Sequence, residues 1–301
     1  MVTLAYSEAY LYTLPEGHKF PITKYQLVKQ QLVYEGTITP DQVYDPGLVD
    51  PDLILRVHTA DFWSAIQNYA LPPRMVRRIG LPINEVSVGR SRNSVAGTVQ
   101  AALRALEVGV GINLAGGTHH AYADRGEGFS LLNDMAIAAR YLLDARRVRQ
   151  VLFVDLDVHQ GNGSAVLFQQ EPRVFTFSMH GEDNYPIAKE RSDLDVGLPT
   201  GTTDEVYLSA LEKHLDHLLD SVRPDILFFQ SGVDVLATDK LGRLSLTREG
   251  CRARDEAVVS RCHRLGIPLV TVMGGGYSPR MVDLVEAHAN TTRVVMQYYG
   301  D

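Results

Sequence analysis

The chain has 301 residues, 45% of them hydrophobic, which is enough for a single α/β domain with one large core. Its 29 basic and 36 acidic residues leave a net charge of −7, which argues against a nucleic-acid-binding face. No apolar run is long enough to cross a bilayer, and the opening segment MVTLAYSEAYLYTLPEGHKF lacks the basic start and apolar stretch of a signal peptide, so a cytoplasmic protein is expected.

The turn-rich segment from Pro40 to Pro51 reads as a surface loop. From about residue 94 helical and strand-like text alternate. Helix is expected over Val95 to Val108 and strand over Val110 to Leu114; helix follows over Leu131 to Leu143 and strand over Val151 to Leu156. A strand from Val174 to Ser178 leads into a long loop, a helix from about Asp204 to Ser221 and a strand from Ile226 to Phe229. The final helix is expected from Arg248 to Leu265, with Thr247 as N-cap, Glu249 in the first turn and Gly266 as the stop; Pro268 opens the last strand. Short apolar strands alternating with helices predict a mostly parallel central sheet with helices on both faces. Cys251 and Cys262 sit roughly 16 Å apart along one helix, too far for a disulfide, and read as free thiols in a reducing compartment.

In such sheets ligands bind beyond the carboxyl ends of the strands, and here four ends carry metal-ligand or acid–base side chains. Asp155, Asp157 and His159 follow Val151-Leu152-Phe153-Val154, two residues apart, and so project to one side of extended chain. Asp234 follows the Ile226 strand. Two carboxylates and an imidazole held together call for a cation, and a divalent metal with three protein ligands keeps a position open, as a catalytic site requires. The structural alternative makes Asp157 and Asp234 the N-caps of the helices that follow. His119-His120 follow a glycine pair, and Tyr277 follows Gly274 to Gly276; a base and an oxyanion donor are the chemical readings, core packing the plain ones. His214 and His217 read as a solvated helix face, His58 and His180 as structural. The arginine-rich stretches at Arg74 to Arg78 and Arg146 to Arg149 read as solvated turns or helix ends rather than binding sites.

Taken together, GGTHH, GFSLLND, DLDVHQGNG, SGVDVLATDKLGRLSLT and GGGY resemble the zinc-dependent histone deacetylase family of the arginase/deacetylase superfamily. The resemblance runs from HKFPITKY to the last strand, and SDLDVGLPTGTTDEVYL and RRIGLP look most like the class IV branch and its bacterial relatives. It implies the arginase/deacetylase fold in one catalytic domain over 1–301, with Zn2+ on Asp157, His159 and Asp234. Iron(II), cobalt(II) or manganese(II) suit the same carboxylate-rich set. It further implies that His120 exchanges protons with water and the leaving amine, that Asp155 orients His119, and that Tyr277 polarises the substrate carbonyl. Asn162 stands beside His120 where some classes carry an aspartate, which should lower the basicity of that imidazole. Phe129, Tyr185 and Leu241 match the walls of an acyl-lysine tunnel and Gly128 a backbone acceptor near the scissile amide. Asp155, Ser178 and the backbone around Asp157 and His159 match an inner K+ site. The implied substrate is an acylated lysine of a protein or peptide, or a small acylated amine. An acetylpolyamine deacetylase and a catalytically silent acyl-lysine-binding module are the alternatives, and the class IV-like text favours long fatty acyl groups over acetyl. Arginase chemistry would need a carboxylate where Gly161 stands.

Overall fold

Eight strands form one sheet, and every neighbouring pair in it is parallel. The computed structural model describes residues 1–300. Two short strands, β1 (Leu4–Ala5) and β2 (Val43–Tyr44), flank α1 (Lys24–Tyr34) in sequence. The helices α2 (Pro51–Ile54), α3 (Ala60–Gln67), α4 (Pro73–Ile79) and the long α5 (Glu85–Val108) come next. Then strand and helix alternate through β3 (Val110–Asn113), α6 (Asp134–Asp144), β4 (Val151–Asp155), α7 (Asn162–Phe168), β5 (Val174–Gly181) and the adjacent β6 (Leu194–Leu198). The remaining elements are α8 (Asp204–Val222), β7 (Ile226–Gln230), α9 (Arg248–Leu265), β8 (Leu269–Val272) and α10 (Met281–Tyr299).

The spatial order is β2-β1-β3-β8-β7-β4-β5-β6. β4 and β7 are buried at every residue, on both faces of the pleat, which is why their sequences are continuous apolar runs rather than alternating ones. α5 lies so close on β3 that a Cβ at Gly111 would run into the Ala101 carbonyl. α9 starts where expected: the Thr247 hydroxyl accepts from Gly250 N at 2.9 Å, a cap worth about 1 kcal/mol, and Gly266 closes the helix at φ 65°. Both cysteines are buried, unpaired thiols on that helix.

Four expectations are corrected. The segment from Pro40 to Pro51 contains the edge strand β2, and the supposed long loop after β5 contains β6, paired along its length with β5. A further helix, α10, follows β8 and packs on α9 and α1, so the helix from Arg248 to Leu265 is not the last. α5 begins at Glu85 rather than Val95, capped by Asn84, whose side chain accepts from Ser87 N while the Ser87 hydroxyl receives Asn84 N.

Candidate functional site

The four central neighbours β3, β8, β7 and β4 are the strands whose carboxyl ends carry the singled-out residues, and parallel pairing brings those ends to one edge of the sheet. Beyond β4 and β7, ligand atoms of Asp157, His159 and Asp234 lie within 4.8 Å of one another, all buried. His159 Nδ1 stands 3.0 Å from a carboxylate oxygen of each aspartate. One N–H cannot serve both carboxylates, whereas one divalent cation would satisfy all three groups and keep an open side; the donor set therefore fits a catalytic metal. The other oxygens are held from behind. Gly275 N donates to Asp157 Oδ2 at 2.7 Å, and Val158 N donates to Asp234 Oδ1 at 2.9 Å. Burial and the adjacent Asp157 push Asp234 up to about 7; burial opposes charge on His159, but the two carboxylates outweigh it and raise the imidazole to about 10. The cluster demands positive charge in some form.

His119 and His120 leave the end of β3 with ring centroids 4.1 Å apart but face different partners. His119 Nδ1 meets Asp155 Oδ2 at 2.6 Å, and although burial opposes it, the charges of Asp155 and Asp157 raise its pKa. His120 Nδ1 meets Asn162 Oδ1 at 2.6 Å. The Asn162 amide donates to Glu127 Oε1 and to the Tyr122 hydroxyl, both at 2.9 Å, so its oxygen must be the atom that faces His120. That oxygen only accepts, so His120 Nδ1 carries the hydrogen and Nε2 of the neutral ring keeps its lone pair. Burial, then His119 and His159, hold His120 well below the usual imidazole range. The direction matches the sequence expectation, but its causes are burial and the two neighbouring imidazoles; the hydrogen bond to Asn162 acts the other way.

Tyr277, beyond β8, packs against Phe129 at 5.6 Å, Phe20 at 6.2 Å and His159 at 6.3 Å between ring centroids. Its N–H donates to Asp239 at 2.6 Å. Burial and the charges of Asp234 and Asp157 keep its phenol protonated, well above the ordinary tyrosine range. Gly128 and Phe129 both adopt positive φ, 56° and 61°, and a Cβ at Gly128 would collide with the His120 ring. Tyr185 stands edge-on to His120 at 5.1 Å. Phe129, Tyr185, Leu241, Gly128, His120 and Tyr277 all border an outer cavity of about 650 Å³. Below it, an inner chamber of about 30 Å³ is shared by His120, Asp157, His159, Tyr277 and Arg90. Asp155, Asn162 and Asp234 line neither cavity but bond directly to His119, His120 and His159, which do.

Asp157 and Asp234 cap no helix: α7 begins after Gly161, and no helix starts at Asp234. His58 is structural, with Nδ1 on the Tyr122 carbonyl and Nε2 receiving Asn133 N. His180 pairs with the Ser178 hydroxyl, while Ser178 lies beside Asp155 in the β4–β5 register. His217 is exposed on α8 and His214 half-buried. The two arginine-rich stretches are a short helix, α4, with Arg77 and Arg78 exposed in its last turn, and the exposed turn with Arg146 and Arg149 that enters β4, as expected; Arg74, Arg77 and Arg78 in addition line the outer cavity. Residues unremarked in the sequence hold the loops in place. Arg254, fully buried beside Asp255, donates to the carbonyls of Leu156, Ser231 and Gly232, tying together the segments that carry Asp157 and Asp234. Lys24, inside the quoted text HKFPITKY, donates to the Gly274 carbonyl at 2.9 Å, and burial pulls it down to about 8.

The family model described as "Histone deacetylase domain" matches residues 18–293. The chain is 44% identical to an uncharacterized protein of Picosynechococcus sp. over 98% of this chain and 99% of that one. It is 29% identical to histone deacetylase 2 of Arabidopsis thaliana over 92% of this chain and 74% of the relative. A crystal structure of an HDAC homolog complexed with SAHA matches with a TM-score of 0.82 at 24% identity, covering 99% of this chain and 84% of that one, a likeness of fold. Since the domain match leaves only short ends of the chain outside it, the protein belongs to the histone deacetylase family.

Proposed function

We propose that the protein is a metal-dependent amidohydrolase that removes a short acyl group from the side-chain amine of lysine. The observation that carries this reading is the convergence of Asp157, His159 and Asp234 beneath an aromatic tunnel, with His120 and Tyr277 bordering the same chamber. Asp157, His159 and Asp234 would hold Zn2+, or iron(II), cobalt(II) or manganese(II) with the same ligands. When bound, such an ion acidifies water and polarises the amide carbonyl. His120 takes the proton of the attacking water on Nε2 and returns it to the departing amine, because Asn162 occupies Nδ1. His119, held by Asp155, balances charge beside it. The Tyr277 phenol donates to the developing oxyanion. Phe129 and Tyr185 flank the lysine stem, with Leu241 farther out and the Gly128 carbonyl near the amide N–H.

The size of the inner chamber bears on acyl length. About 30 Å³ holds two or so water-sized groups, and a chain of roughly a dozen methylenes needs several times that. This favours acetyl and runs against the long-chain expectation from the class IV-like text. The test is release of fluorophore from acetyl-, octanoyl- and myristoyl-lysine reporters, with and without a chelator, by the native chain and Asp234→Ala. Chelator-sensitive hydrolysis, fastest with acetyl and lost in the variant together with bound metal, is the expected result. Activity in a metal-stripped Asp234→Ala protein refutes the hydrolase reading, and a faster myristoyl reaction refutes the short-acyl part.

A further inference from the structure

The outer cavity is strongly cationic in a chain of net charge −7. Arg74, Arg77, Arg78 and Arg243 line it, against one carboxylate, Asp183, which already accepts from the Thr200 hydroxyl at 2.8 Å. Among the described residues Arg78 is paired, to Glu127 at 3.3 Å, while Arg74, Arg77 and Arg243 are exposed and make no ion pair or side-chain hydrogen bond. Three free guanidinium groups around one opening repel each other, an arrangement that favours an anionic occupant. The helix that carries Arg74 and Arg77 is held in place as well. The carbonyls of Arg78 and Ile79, at the end of α4, accept from Gly128 N at 3.1 Å and Phe129 N at 2.8 Å, so the helix is fastened to the tunnel wall.

We propose that this arginine rim recognises acidic side chains flanking the acylated lysine, so that the substrate is a protein segment carrying Asp or Glu close to the modified residue. The inference rests on the acyl-lysine hydrolase reading and names its substrate class. Extended chain advances about 3.3 Å per residue, so carboxylates one or two positions from the lysine stay near the opening while the lysine occupies the tunnel. A guanidinium meets a carboxylate with two parallel hydrogen bonds, which an ammonium cannot do. The same rim repels a polyamine, whose remaining amines are cationic, and so disfavours that alternative substrate.

The test compares acetyl-lysine peptides that differ only in Glu, Ala or Lys on both sides of the lysine, at low and high salt, in the native protein and in Arg74→Glu/Arg77→Glu and Arg243→Glu variants. A small uncharged acetyl-lysine reporter is run alongside. The expected result is a kcat/KM about tenfold higher for Glu than for Lys flanks at low salt, a ratio that shrinks with salt and inverts in the double variant. Equal rates for Glu and Lys flanks, or a preference that survives the double variant, overturn the rim proposal. If the reporter is hydrolysed in that case, the hydrolase reading stands; if no substrate is hydrolysed, both fall. Inhibition by a single-stranded oligonucleotide stronger than by an acidic peptide would assign the rim to a nucleic acid and likewise overturn the proposal.

Discussion

Replacing Tyr277 with Phe removes one oxygen atom and leaves the packing in place. The ring contacts with Phe129, Phe20 and His159 and the backbone bond to Asp239 do not involve the hydroxyl, and no side chain or backbone group among the described residues receives a hydrogen bond from it. The cost in stability should therefore be about 1 kcal/mol or less, a few degrees in Tm at most. Turnover should suffer far more. The phenol stays protonated, and under the proposed mechanism it donates where charge develops, so it acts in the transition state rather than on the bound substrate. Loss of a single donor of this kind costs about 2.7–4 kcal/mol, a fall in kcat of roughly 10²–10³ with KM little changed. Steady-state kinetics on the acetyl-lysine reporter, metal content and thermal unfolding of native and Tyr277→Phe protein together make the check. A kcat within about threefold of native would reduce the phenol to packing, and a parallel loss of metal would make its role structural rather than chemical.

Other perturbations probe the parts around it. Gly275→Ala places a methyl against Asp234 Oδ2 and 2.7 Å from Asp157 Oδ2, so it should displace both carboxylates; metal retention measured on the folded variant should collapse, and full retention contradicts the ligand geometry. Glu127→Gln removes the carboxylate that fixes the Asn162 amide and frees it to flip, so kcat should fall about tenfold and its acidic limb should move, with Glu127→Asp recovering part of both; an unaltered pH profile argues against the chain from Glu127 to His120. His58 is held neutral by burial, down to about 4, against about 6.5 in the unfolded chain. Its contribution is fully present above about pH 6.5 and is lost as pH falls toward 4, about 2 kcal/mol of it by pH 5; urea unfolding at pH 8 and pH 5 should show that difference reduced in His58→Gln, and an identical pH slope refutes it.

The interior strands were legible because each is built on a short, mostly apolar run, VGIN, VLFVD, ILFFQ and LVTV, that is rich in β-branched or aromatic residues. β1 and β2 were not, since two residues carry no pattern and pairing with neighbours makes them strands. β6 reads LDVGL; it is a half-exposed edge strand, with Asp and Gly on a line that looks like a loop until β5 supplies the partner. The first turns of α5 escaped notice because their buried face is polar. Arg90 reaches the Tyr10 carbonyl, Asn93 the Gly47 carbonyl, and the Ser94 hydroxyl receives Gly116 N. The metal-ligand set was legible for the opposite reason: carboxylates just past apolar strands are costly to bury side by side unless a cation joins them, so their position alone points to one. Lys24 is a buried charge satisfied by a backbone carbonyl far away in sequence, and the carbonyls that Arg254 ties together beyond its neighbour Asp255 are likewise distant, so neither role has a local signature.

The arginines of α4 mark the boundary between what local sequence determines and what it does not. Positions 74, 77 and 78 are spaced i, i+3, i+4, so once the segment is helical they share one side of it, and reading RMVRRI as a charged helix end is correct as far as it goes. What that side faces depends on segments brought in from elsewhere: Gly128 and Phe129 from the connection after β3, Tyr185 after β5, and Leu241 and Arg243 after β7. The helix C-terminus binds two of those backbone N–H groups directly, and the last arginine turns to Glu127, whose other oxygen fixes Asn162 and through it the His120 tautomer. A solvated charge run thereby becomes part of the wall of the outer cavity at one end and a support for the His120 imidazole at the other. Charge count alone gives −7 and speaks against anionic partners; the distribution of that charge, which only the fold creates, puts unpaired cations, among the described residues, around the outer cavity.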